Sequence, residues 1–142
     1  QNDILINKIK KSVQIAEISD FLDQSLSDKY LTELGERGVR LSGGQIQRIG
    51  IARSLYHDPS VIVFDEATSA LDILTEQKVI KNIGKIKKNV TKIFIAHRLS
   101  TLKNCDVIFF MENGAIIDRG TYEYLLKNNK KFSELAEITK IN

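Results

Sequence analysis

Three short stretches of this chain carry residue types whose order could do phosphate chemistry. Val61-Ile62-Val63-Phe64 is followed directly by Asp65-Glu66. Four apolar residues running into two carboxylates predict a buried parallel strand with charge at its carboxyl end, where ligands of open α/β sheets collect. An Asp so placed can hold Mg²⁺ through water, because Mg²⁺ gives up its hydration shell reluctantly. A Glu beside it can orient a water and accept its proton. A strand followed by an N-capping Asp would give the same pattern. The second stretch is Leu41-Ser42-Gly43-Gly44-Gln45. Its glycines let backbone approach a phosphate, Ser42 brings a hydroxyl, and the start of a helix presents free N–H groups and a positive dipole end. A Ser N-cap at a glycine-led helix start also fits. The third is Ile93-Phe94-Ile95-Ala96-His97. A His at a strand end can donate to phosphate oxygens or serve in packing or capping.

The elements that must position these residues can be read from periodicity and punctuation. Residues 8 to 31 place Ile9, Val13, Ala16, Phe21, Leu22 and Leu26 at helical spacing, with Asp20 and Ser27 as candidate breaks. Three of the eight glycines fall within residues 35–43, with Gly44 next, which predicts a loop. A helix is expected from about Gly44 to Tyr56, then Pro59, then a strand at Val61 to Phe64. A second helix is expected from Asp72 to Ile86, with Val79, Ile83 and Ile86 on one side. Strands at Lys92 to Ala96 and Val107 to Met111 flank a short helix near Ser100. Asn113-Gly114 is a hairpin signal leading into Ala115 to Asp118. Two short helices, starting near Thr121 and Lys131, close the chain. Strands alternating with helices predict an α/β fold whose main strands are parallel.

Composition narrows the class. Apolar residues are 42% and charged residues 27%, a balance that excludes wholesale disorder. The longest purely apolar run, Val107 to Met111, is far short of the roughly 18 residues that cross a bilayer. The net charge is +3 and aromatics are only 7%, so the lysine clusters read as solvated faces, and no nucleic-acid partner is expected. A single cysteine, Cys105, cannot form a disulfide within the chain and reads as a small packed residue. The first residue is Gln1, and the natural chain is expected to start further upstream.

Taken in order, these pieces are more specific than any one of them. The run from Leu41 to Asp72, LSGGQIQRIGIARSLYHDPSVIVFDEATSALD, closely resembles the signature motif, Walker B motif and D-loop of ABC transporter ATP-binding domains. His97 falls where that family has its switch histidine, and the resemblance covers nearly the whole chain. It implies an incomplete α/β P-loop NTPase-like fold. About 1–57 would be the helical and signature region, and about 58–142 the Walker B, D-loop and H-loop core. It further implies that Ser42, Gly43, Gly44 and Gln45 contact the γ-phosphate of ATP held by a second, head-to-tail ATPase domain. Asp65 would serve Mg²⁺, Glu66 would be the general base, Asp72 would reach across the dimer, and His97 would meet the γ-phosphate.

The loop Thr32-Glu33-Leu34-Gly35-Glu36-Arg37-Gly38 resembles the exporter-type loop that communicates with the membrane domain, though a polar turn with two glycines would look similar. The segment from Asn113 to Leu126 also follows the exporter pattern, except that Tyr122 stands where a His is frequent. The implied activity is ATP hydrolysis driving export of a lipid, peptide or glycan from the cytoplasmic face of a membrane. A soluble ABC ATPase of repair or translation is a rival, but the short interval 45–60 leaves no room for the large insertions of those proteins. A non-catalytic module lending its signature loop to a partner's ATP is the other.

The sequence contains no G-x-x-x-x-G-K-[ST] phosphate loop: the only Gly-Lys pair is Gly84-Lys85, followed by Ile86 and preceded five residues earlier by Val79. In folds resembling this family the P-loop strand lies between the His97 strand and the strand Val107 to Met111. Without the lysine and backbone nest for the β- and γ-phosphates, these residues cannot form a complete site in cis. The 142-residue chain alone is therefore expected to bind MgATP weakly or not at all. Isothermal calorimetry checks this, and micromolar affinity would contradict it.

Overall fold

A computed structural model describes residues 2–34, 39–86, 89–96 and 98–141. It divides into two compact units, residues 1–95 and 96–142. In the first, helix α1 (Asn2–Ile15) is followed by α2 (Ser19–Gln24), a 3-10 turn (Lys29–Leu31), α3 (Gly43–Tyr56), strand β1 (Val61–Asp65), α4 (Ile73–Gly84) and β2 (Thr91–Ile95). β1 and β2 pair in parallel, with Phe64 opposite Phe94 and Asp65 opposite Ile95. Their two rings stack at 5.0 Å. One core joins the layers: Val13 and Leu22 from the first two helices, Ala16 from the turn between them, Ile51 and Leu55 from α3, Ile62 and Phe64 from β1, and Val79 and Ile83 from α4. Val79 and Ile83 are fully buried, as their helical spacing predicts.

The helical break falls elsewhere than the sequence suggests. Asp20 and Ser27 read as the punctuation, but α1 ends at Ile15 and the chain turns at Glu17, a non-glycine residue with φ 55°. Two other helices hold that corner. Arg48 of α3 donates to the Glu17 carbonyl, and Asn82 of α4 donates to the Glu17 carboxylate at 2.6 Å. These long-range partners stabilise a left-handed turn that local sequence does not announce.

In the second unit, α5 (Leu99–Leu102) precedes an antiparallel hairpin of β3 (Ile108–Glu112) and β4 (Ala115–Gly120), then α6 (Tyr122–Asn128) and α7 (Lys130–Ile141). Asn113 and Gly114 take φ of 51° and 76°, the two left-handed residues a tight hairpin turn requires. Ile108, Tyr122, Leu125 and Phe132 form the core, with the Phe110 and Tyr122 rings edge-on to Phe132. Asn129 ties the layers by accepting the Phe132 N–H and donating to Asp118. Cys105 packs against this core, and burial, followed by the charge of Asp106, pushes its thiol up, away from thiolate.

The four-residue apolar run of β1 predicts burial on both faces, and the structure differs. Ile62 and Phe64 are buried, while Val61 and Val63 are 53% and 55% exposed, as are Ile93 and Ile95 of β2 at 45% and 50%. Helices of this unit cover one face of the sheet only. Among the described residues the strands form two separate two-stranded sheets. Thr91 N–H donates to the Ser60 carbonyl and the Ile95 carbonyl accepts from Glu66, so the odd-numbered residues of β2 face β1. By the period of two, Lys92 and Phe94 point their N–H groups to the open edge. Hydrogen exchange on the dilute chain should therefore alternate, slow at Ile93 and Ile95 and fast at Lys92 and Phe94. Strong protection at all four would mean another strand has closed that edge.

Candidate functional site

Asp65 is the last residue of β1 and Glu66 the first beyond it, and both are exposed. Glu66 has φ 48°, a backbone region that a non-glycine residue occupies at a cost of about 1–3 kcal/mol unless its surroundings hold it there. Its N–H donates to the Ile95 carbonyl at 2.9 Å, extending the parallel ladder by one step. Its carbonyl accepts from the Gln47 side chain of α3 at 3.2 Å. The chain then turns back through residues 67–71, where Ser69 N–H donates to the Glu66 carbonyl and Leu71 N–H to the Thr68 carbonyl. Beneath this turn, Thr68 donates to the Glu76 carboxylate at 2.9 Å, and both residues are buried.

Ser42 and Gln45 start α3 as a reciprocal pair. The Ser42 hydroxyl accepts the Gln45 N–H at 3.2 Å, and the Gln45 side-chain oxygen accepts the Ser42 N–H at 2.8 Å, a complete capping box. Gly43 and Gly44 form the first helical turn. A Cβ on Gly44 would stand 3.2 Å from the Ala70 carbonyl oxygen and 3.3 Å from a Leu71 methyl, so this glycine permits the close approach of α3 to the 67–71 turn.

Asp72 caps α4, its carboxylate accepting the Thr75 N–H at 2.9 Å. The structure thus brings Ser42, Gly43, Gly44 and Gln45 into one helix start, and Asp65, Glu66 and Asp72 into one strand-turn-helix connection. His97 lies outside the described residues, as do residues 35–38 of the Thr32 to Gly38 loop. Gln47 is the residue that sequence reasoning passed over. Its only signal there is its place three residues beyond the glycine pair, since its partners are 19 to 23 positions away.

The donor set fits Mg²⁺. One exposed carboxylate at a strand end suits a cation that keeps several waters and takes its other oxygens from substrate phosphates. Among the described residues no group of three or more His, Cys, Asp or Glu gathers into an all-protein cage, and this mode of binding requires none.

A family model described as "ABC transporter" matches residues 1–69. A Beta-(1→2)glucan export ATP-binding/permease protein, NdvA of Agrobacterium fabrum, is 42% identical over 132 residues, which is 93% of this chain and 22% of that protein. The leukotoxin export ATP-binding protein LtxB of Aggregatibacter actinomycetemcomitans is 46% identical over 137 residues, 96% of this chain and 19% of that protein. A bacterial Atm1-family ABC exporter solved with ATP bound superposes with a TM-score of 0.86 at 37% identity, covering 94% of this chain and 24% of that one. The chain belongs to the ABC transporter ATP-binding domain family. Its fold is part of that nucleotide-binding domain, and it spans about a fifth of the length of these curated relatives. Among the described residues of this family member, no helix is long and apolar enough to cross a membrane.

The Asp72 cap carries a pH signature. Hydrogen bonding from Thr75 holds its carboxyl below the ordinary value of 3.8. Because the folded value is the lower one, the stabilisation is present above the ordinary value and is lost as pH falls through the depressed folded value. Asp72→Asn keeps a capping oxygen and removes the titration. Wild type should therefore lose more stability than Asp72→Asn between about pH 5 and pH 2. Urea midpoints measured across that range check it, and parallel profiles would contradict it.

Proposed function

We propose that this chain is part of the ATP-hydrolysing domain of an ABC exporter. The observation that carries this reading is the exposed Asp65-Glu66 pair at the carboxyl end of a parallel strand, fixed to the glycine-led start of α3 within one compact unit. Asp65 would hold Mg²⁺, which when bound supplies positive charge to the phosphate oxygens. Glu66 would orient the attacking water and take its proton. Ser42, Gly43, Gly44 and Gln45 would contact the γ-phosphate of ATP held by a second ATPase domain in a head-to-tail pair, Asp72 would reach across that interface, and His97 would donate to the γ-phosphate. Residues 1–57 then serve as the helical and signature region and 58–142 as the core region.

Both relatives named above are described by export, one of a glucan and one of a leukotoxin, which supports an exporter while leaving open whether a lipid, peptide or glycan is moved. In this reading the Thr32 to Gly38 loop meets the transmembrane domain, and the ATPase sits at the cytoplasmic face of the membrane. ATP joins two such domains and hydrolysis releases them.

Glu66→Gln in the complete protein should abolish turnover and leave ATP binding intact, because the amide keeps the shape of the side chain and cannot take the proton. Steady-state hydrolysis and nucleotide-binding measurements on the purified variant decide it. Turnover at the wild-type rate would remove Glu66 from the role of base.

A further inference from the structure

Gln47 makes three hydrogen bonds to the turn that follows the carboxylate pair. Its amide nitrogen donates to the Glu66 carbonyl at 3.2 Å and to the Ser69 hydroxyl at 2.8 Å, and its amide oxygen accepts the Ala70 N–H at 2.9 Å. The backbone partners fix which way the amide faces, since a carbonyl only accepts and a backbone N–H only donates. The amide therefore closes a clamp across residues 66–70 from the first turns of α3. Its position is telling, because Glu66 is the one residue between Val61 and Leu71 with a positive φ. The Glu66 peptide groups are fixed on one side by the Ile95 carbonyl of the sheet and on the other by Gln47.

We propose that Gln47 is a positioning residue for hydrolysis: it holds the left-handed backbone of Glu66, and so aims the Glu66 carboxylate, from the same helix whose start carries Ser42 to Gln45. This rests on the function proposed above, with Glu66 as base. A catalytic group displaced by about 1 Å can lose on the order of 100-fold in rate while substrate binding is little changed. The clamp also joins two parts of the site mechanically. Movement of the start of α3, where a partner's phosphate would dock, is transmitted by one side chain to the backbone of the base.

The test uses the complete protein, with MgATP hydrolysis followed at varied ATP. Gln47→Leu should lower kcat about tenfold or more and leave KM within about twofold, the pattern of a group acting only on the chemical step. Gln47→Glu keeps an acceptor for Ala70 but puts a carboxylate against the Glu66 carbonyl, and should lose as much kcat. Ser69→Ala, which spares the Glu66 and Ala70 contacts, should stay within about threefold of wild type. In a single-turnover assay, adding Gln47→Leu to Glu66→Gln should cause no further loss, because a residue acting through Glu66 has nothing left to position. Wild-type kcat in Gln47→Glu, a rise in KM as large as the fall in kcat, or a further loss in the double variant would overturn the proposal. Glu66→Gln measured beside them separates the two ideas. If it hydrolyses ATP normally, the assignment of the base fails; if it is inactive while both Gln47 variants turn over normally, only the clamp fails.

Discussion

A strand that ends in two carboxylates has to leave its sheet without carrying those carboxylates away from the edge where a ligand would meet them. Here the constraint is met at Glu66, whose backbone turns into the left-handed region one residue after β1 ends. The conformation is unfavourable in isolation for a side chain with a Cβ. It is held by a last ladder bond to Ile95 and by the Gln47 side chain. Through that residue the end of β1 is tied to α3 by Gln47, and the chain enters the 67–71 turn that leads to α4.

What lies beneath the turn reinforces it. Thr68 and Glu76 are almost completely buried and bonded to each other, and a buried polar group without a partner would cost about 1–3 kcal/mol. Glu76 sits in the first turn of α4, where a carboxylate also interacts favourably with the positive end of the helix. One and two turns later come Val79 and Ile83, both fully buried. The turn is thus fixed to α3 by an amide on its exposed side and to α4 by a hydroxyl–carboxylate pair on its inner side. The apolar stripe of α4 anchors that pair to the core.

Much of this was legible in the sequence, for identifiable reasons. β1 and β2 stand out as apolar runs bounded by Pro59 and by charge, and α3 begins where the Ser-Gly-Gly-Gln pattern says it should. The Asn113-Gly114 turn is legible because only a few residue types tolerate its geometry. Glu17 and Gln47 were not legible, and for one reason. Glu17 turns the chain because Arg48 and Asn82, distant in sequence, hold it. Gln47 reaches backbone groups, whose identity leaves no mark in side-chain types. The run Val61 to Phe64 misled in the other direction: apolar residues record the faces a strand is suited to bury, and in the first unit only the Ile62 and Phe64 face is covered.

The two readings that the sequence left open for Ser42, helix cap or phosphate contact, do not compete. The capping box uses the Ser42 hydroxyl as an acceptor, and a hydroxyl that accepts still has a proton to donate. The box takes the Gln45 N–H and the Ser42 N–H, while the Ile46 N–H makes the first ordinary helical bond, to the Ser42 carbonyl at 3.0 Å. Of the four N–H groups that a helix start leaves over, that accounts for two. The other two belong to Gly43 and Gly44, which lack side chains that would keep an anion at a distance. A cap that satisfies the first and fourth donors while leaving the middle two on glycine holds the helix start in shape before any ligand arrives. In the function proposed above, where this helix start would take the phosphate of a nucleotide bound elsewhere, that pre-set shape would reduce the ordering that binding otherwise requires.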